Sequence, residues 1–189
     1  VLDPVKLVVD NWPEGTVESW EAPKHPHHPE WGKRTFPFGR ELWIEREDFT
    51  ETPPKGYFRL FPGNMVRLRY GYVVKCIGCD KDAEGRVTAV HCEVMPDSKS
   101  GTPGADTYKV KGNIHWVCAE GALDAEVRLY DHLFAAEFPE EVPEGQDFLV
   151  NLNPKSLELL SNAQLEPSLA RLAAGSSVQF ERHGYFVAD

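Results

Sequence analysis

Short runs rich in β-branched and aromatic residues dominate the pattern of this chain. They are KLVVDN (6–11), RELWIER (40–46), MVRLRYGYVVKCIG (65–78), RVTAVHCEV (86–94), TYKVKGNIHWV (107–117), AEVRLYDHLF (125–134) and SSVQFERHGYFVAD (176–189). Several alternate with a period of two. In Val66-Arg67-Leu68-Arg69-Tyr70 the arginines share one face and the apolar side chains the other, as in a half-buried strand. Turn chemistry separates the runs. Asp82-Ala83-Glu84-Gly85 closes a hairpin, and PDSKSGTPGAD (96–106) is a polar loop. The Pro- and His-rich stretch PKHPHHPEWGKRTFP (23–37) reads as loop. Helical signals are few. Pro167-Ser168 followed by LARLAAG predicts one or two N-capped helical turns stopped by Gly175, and Arg46–Thr52 predicts another short one.

Many short strands joined by polar loops predict an all-β fold, a barrel or a sandwich. At 189 residues, 41% of them hydrophobic, the chain can bury one large core or two small ones. At this chain length, two small barrels are expected rather than one large one. The pattern shifts across NIHWVCAEGALD (113–124), which places the expected division at 1–113 and 114–189. No stretch approaches the roughly 20 apolar residues that span a bilayer, so no membrane is expected. The chain opens on a strand-like VLDPVKLVVDNWPEG with no initiator Met and no secretory signal. It is expected to be part of something longer.

Charge alters the picture. The net charge of −10 argues against nucleic acid, because phosphates are bound by Lys and Arg. Yet KGYFRLFPGNMVRLRYGYVVK (55–75) holds Lys55, Arg59, Arg67, Arg69 and Lys75 and no acid, with Tyr57, Phe58, Phe61, Tyr70 and Tyr72 interleaved. Cations alternating with planar rings suit single-stranded RNA, where bases stack and arginine forks read base edges. The acids concentrate elsewhere, as in EFPEEVPE (137–144).

Candidate chemistry beyond this is thin. Cys76, Cys79 and Cys92, with His91, carry one C-x-x-C half-motif. In an extended strand residues three apart point to opposite faces, so Cys76 and Cys79 are expected on opposite faces and a zinc knuckle is disfavoured. Four cysteines without a signal peptide fit a reducing, cytoplasmic location. The H-P-H-H run at 25–28 reads as a stiffened polar surface loop. No phosphate-binding glycine loop, dinucleotide fingerprint or nucleophile elbow occurs, so no catalytic residue is assigned.

Several stretches, in order and spacing, resemble the C-terminal anticodon-binding region of glutaminyl-tRNA synthetase. They are LDPVKLVVDN (2–11), PKHPHHPEWGKRTFPF (23–38), ELWIEREDF (41–49), VRLRYGYVVK (66–75), VKGNIHWV (110–117), VRLYDHLF (127–134) and VQFERHGYFVAD (178–189). The resemblance covers nearly the whole chain and is weakest at 12–22, 96–106 and 137–147. It implies two consecutive β-barrels similar to a ribosomal barrel that binds 5S RNA, with the end of the chain returning toward the first. It implies an upstream catalytic domain of the same polypeptide, which attaches glutamine using ATP with Mg. The implied partner is the anticodon loop of glutamine tRNA, and a monomer is expected. This chain alone carries no cofactor and no catalytic motif.

Residue by residue, the resemblance makes Arg59 a reader of the third anticodon base and Arg69 a contact of the first. It places the central uracil with Gln179 and Arg182. His27 stands where the family has an anticodon-contacting Asn, Phe58 stands where it often has Lys, and Tyr57 is a candidate stacking ring. The alternatives are the corresponding domain of an archaeal or eukaryotic-type glutamyl-tRNA synthetase, a stand-alone ribosomal-RNA-binding barrel, and a zinc-dependent interaction module on Cys76 and Cys79.

Overall fold

The computed structural model describes residues 1–189. It is all-β, and its helical turns are short 3-10 segments such as Arg46–Asp48 and Pro167–Leu169. Seven strands form one sheet: β1 (Pro4–Val9), β4 (Glu41–Glu45), β5 (Met65–Leu68), β6 (Val73–Lys81), β7 (Val87–Val94), β8 (Gly112–Ile114) and β9 (Val117–Cys118), in the order β8-β5-β6-β7-β1-β4-β9. β1 runs parallel to β7 and β5 parallel to β8; the other pairs are antiparallel. The outermost strands β8 and β9 are joined through only His115 and Trp116. An extended residue spans about 3.5 Å, so the two edges of the sheet are drawn together and the sheet must curl.

Alternation explains the inside of that curl. Val5, Leu7 and Val9 of β1 point inward with Leu42 and Ile44 of β4, Val90, Cys92 and Val94 of β7, and Val66 and Leu68 of β5. A ribbon of β2 (Glu18–Pro23) and β3 (Lys33–Phe38) lays Trp20, Ala22, Phe36 and Phe38 over the open side. Phe38 stacks on Trp20 at 4.6 Å and meets Trp12, Tyr72 and Trp116 within 5.4 Å. Each such ring, once buried, contributes about 1.5–3 kcal/mol.

The remaining strands form a ribbon of β10 (Leu123–Tyr130) and β11 (Leu157–Leu165) and a hairpin of β12 (Ser177–Phe180) and β13 (Gly184–Val187). Val127 and Ala163 make a small core with Leu2 from the start of the chain, against Leu129, Leu160, Phe180 and Phe186.

Four local expectations are corrected. Residues 23–37 are not loop throughout: Pro23 ends β2 and Lys33–Phe38 is β3. Only the tip is irregular, because Phe36 and Phe38 supply the inward alternation that the prolines obscure. The 65–78 run is not one strand. It breaks after Leu68, where the Gly71 N–H donates to the Leu68 carbonyl and Tyr70 takes φ +60. The 107–117 run contributes only β8 and part of β9. Finally, Cys76 and Cys79 do not lie on opposite faces. A β-bulge between Cys76 and Gly78 adds one residue, so Cys76 pairs with Cys92 and Cys79 with Val90, both inward positions. The Cys76 thiol donates to the Gly78 carbonyl at 3.8 Å, and Cys118 lies on β9, beyond β1 and β4. No group of three or more His, Cys, Asp or Glu side chains is placed to hold a metal. No helix is long and apolar enough to cross a membrane.

Candidate nucleic-acid interface

The candidate readers converge on an acidic turn. β4 ends at Glu45 and passes into the 3-10 turn Arg46–Asp48, which presents Glu45, Glu47 and Asp48 within four residues. Asp48 is fully buried. Its carboxylate receives both forks of Arg182, at 2.8 and 2.6 Å, and lies 3.2 Å from Nε of Arg59. Glu47 accepts from Arg59 Nη1 at 2.9 Å, and its carbonyl accepts from the Tyr57 hydroxyl at 3.0 Å. The Glu45 carboxylate accepts from the N–H groups of Leu2 and Asp3 at 2.8 and 3.0 Å and lies 2.8 Å from His183 Nε2. Backbone bonds hold the segment in place: Leu60 N–H donates to the Asp48 carbonyl and Thr50 N–H to the Leu60 carbonyl.

The electrostatics are those of a paired but desolvated group. Burial pushes the Asp48 carboxyl above its ordinary value in spite of Arg182 and Arg59. The bonds to Asp48 raise Arg182 further above its own. Two short bonds to a guanidinium that never loses its proton make the pair ionic at neutral pH. Desolvation pushes the buried Glu45 carboxyl up, but its backbone bonds to Asp3 and Leu2 and the positive charges beside it together hold it below the usual range. Desolvation and the nearby carboxylates push the Tyr57 hydroxyl up to about 12, so it stays a neutral donor.

Arg69 lies one step away. Its Nη2 pairs with Glu181, the neighbour of Arg182, at 2.8 Å. Its backbone N–H donates to the Ile114 carbonyl, and its carbonyl accepts from Trp116 Nε1 at 3.0 Å. Its Nε is buried without a partner, an orphan donor of a kind native proteins rarely leave. Tyr70 lies between two cations, with Arg34 and Arg69 at 5.4 and 5.2 Å from its ring. Arg34 in turn grips Glu166 at 2.8 and 3.3 Å. Tyr70 and Arg182, φ +60 and +68, are the only non-glycine residues with left-handed backbones. Such conformations are strained for bulky side chains and collect at functional sites.

Sequence reading missed His115, which sits half-buried between β8 and β9. Desolvation, then positive charges that include Arg34, Arg182 and Arg69, push its pKa down to about 3. It is therefore a neutral ring within a basic cluster, able to donate and accept. Glu47, Asp48 and Glu166 were missed as well. The E-R-E-D run after a strand was their one visible signal.

Of the predicted residues, Tyr57, Arg59 and Arg182 meet around Glu47 and Asp48, and Arg69 joins them through Glu181. Gln179 lies outward on β12, across from the 80% exposed Tyr185. His27 stands apart at the exposed tip of the β2–β3 ribbon, its N–H donating to His25 Nδ1. Arg67, which alternation placed beside Arg69, instead staples the 96–106 loop by donating to the Ser98 and Ala105 carbonyls at 2.8 and 2.6 Å.

Known proteins resemble this chain closely. Two family models, each described as tRNA synthetases class I (E and Q), anti-codon binding domain, match residues 1–95 and 113–189. Over all 189 residues the chain is 65% identical to a glutamine–tRNA ligase of Ralstonia pickettii, 62% to one of Cupriavidus taiwanensis and 57% to one of Bordetella pertussis. It spans 32% of the length of each of these relatives. The chain belongs to the family of anticodon-binding domains of the class I glutamyl- and glutaminyl-tRNA synthetases.

Proposed function

We propose that this chain reads the anticodon of glutamine tRNA on behalf of an upstream catalytic domain of the same polypeptide, which attaches glutamine using ATP with Mg. One observation carries the reading. Arg59 and Arg182, from distant parts of the chain, are held from behind by the fully buried Asp48, beside two strained left-handed residues. Bonds to Asp48 use two of the five N–H donors of Arg182, leaving three to read a base edge. In this reading Arg182 and Gln179 hold the central uracil, Arg59 the third base and Arg69 the first. Tyr57 and His27 contact the loop.

The same proposal divides the chain into two modules, 1–113 and 114–189, each a barrel similar to the 5S-RNA-binding barrel of the ribosome. It makes the protein a cytoplasmic monomer. Docking of the catalytic domain is supported by apolar side chains that face outward on β10–β11 and the closing hairpin, Tyr130, Leu159, Tyr185 and Val187 among them.

The test is binding of a glutamine-tRNA anticodon stem-loop, followed by anisotropy at two salt concentrations, with a second loop whose central uracil is changed. Discrimination above about tenfold, or 1.4 kcal/mol, is expected. Equal binding of both loops that vanishes with salt reduces the surface to an electrostatic one and refutes base reading.

A further inference from the structure

The tip of the β2–β3 ribbon carries a ring cluster that no role above uses. Its chain is tightly closed. Lys24 N–H donates to the Gly32 carbonyl at 3.0 Å, and Pro29–Trp31 forms a 3-10 turn in which Trp31 N–H donates to the His28 carbonyl. The His28 imidazole lies flat on the Trp31 indole, centroids 4.5 Å apart and planes within 11°. His25 packs against both, at 4.6 and 5.0 Å. Glu30 lies 2.7 Å from His28 Nδ1 and fixes the imidazole plane. Trp31 is nevertheless 55% exposed, whereas Trp12, Trp20 and Trp116 are in the core. With His28 stacked on one face and His25 set edgewise, more than half of the Trp31 surface is still open to solvent.

We propose that Trp31, backed by His28, is a stacking platform for an unpaired RNA base that flanks those read by the arginines. The proposal rests on the anticodon-reading function above. Position favours RNA as the occupant. Arg34, on β3, follows Trp31 by three residues, a reach of about 10 Å at most. From Arg34 the surface passes to Tyr70, then Arg69, then Glu181 and Arg182. Planar rings alternate with cations along that line, which is what an unstacked strand requires. The aromatic partners of these rings are one another, not the core. A metal role for the histidines fits poorly, because His25 Nδ1 already accepts from the His27 N–H.

Because Trp31 is exposed on a turn closed by backbone bonds, Trp31→Ala leaves the fold intact and Trp31→Phe restores a flat ring. The experiment places 2-aminopurine at successive positions of the glutamine-tRNA anticodon stem-loop and adds the chain. The expected result is quenching at one loop position with the wild type and Trp31→Phe. With Trp31→Ala that quenching disappears, binding weakens about tenfold, and preference for the central uracil is unchanged. If Trp31→Ala quenches and binds as the wild type does while uracil preference persists, the platform is refuted and the anticodon function stands. If the wild type shows no uracil preference, the function and the platform fall together.

Discussion

Arg182→Ala strands a buried charge, and its cost should depend on pH. In the native protein Asp48 has no exposed surface and takes two bonds from Arg182 at 2.8 and 2.6 Å, with Arg59 Nε at 3.2 Å as its second cation. Breaking a wholly buried pair costs about 3–5 kcal/mol. Here the Arg182 side chain is 30% exposed and Arg59 remains, so we expect about 2–3 kcal/mol at pH 7. Burial already raises the Asp48 carboxyl, and losing Arg182 raises it further. A carboxyl that holds its proton more tightly in the folded state than in the unfolded one, where it titrates near 3.9, gains folding stability as pH falls. The penalty of Arg182→Ala should therefore shrink on acidification, by about 1 kcal/mol between pH 8 and pH 5. Urea denaturation followed by tryptophan fluorescence at the two pH values measures it. In the double variant Asp48→Ala/Arg182→Ala no charge is stranded, and the pH dependence should vanish. A penalty equal at both pH values, or a pH dependence that survives in the double variant, refutes the claim that Asp48 is a buried, ionised anchor.

Other perturbations test other parts of the structure. Phe38→Ala empties the centre of the aromatic core, where the ring stacks on Trp20, and should cost about 3–5 kcal/mol in the same urea assay. Gly112→Ala would place a Cβ 2.0 Å from the Phe58 carbonyl, pushing the Tyr57–Arg59 segment outward. It should cost about 1–3 kcal/mol and weaken stem-loop binding, although residue 112 touches no RNA in the proposed site. His91 bridges Asp10 and Asp80, each at 3.0 Å, and these bonds raise its pKa. Its contribution is thus complete below about pH 6.5 and lost as pH rises through the raised value, so His91→Asn should destabilise at pH 5.5 by about 1 kcal/mol and hardly at all at pH 9. His115 titrates in the opposite sense. With its folded pKa near 3 and an unfolded value near 6.5, stability should fall as pH drops below 6.5, by up to about 1.4 kcal/mol per unit, and His115→Gln should flatten that acid limb.

Period-two alternation and turn chemistry determined the all-β class, most strand positions and the Asp82–Gly85 hairpin turn, because strand pairing and local backbone preference depend on neighbours in the chain. The basic aromatic stretch around Arg59 and Arg69 was legible for the same reason. The resemblance of ordered motifs added Gln179 and Arg182, which local pattern alone would have left as ordinary strand and turn residues. What the sequence could not supply was the partner of each charge. Arg182 meets Asp48 across 134 positions, and Arg34 meets Glu166 across 132. Two arginines two residues apart go to different ends, Arg67 to the 96–106 loop and Arg69 to Glu181, because the chain turns at Tyr70 between strands that alternation reads as one. A single bulged residue moved Cys79 to the inward face, an event no periodicity announces. Local order follows from covalent neighbours and solvent exposure. The pairing of charges, their desolvation and the shifted pKa values follow from which distant segments the curled sheet brings together, and only the tertiary structure decided those.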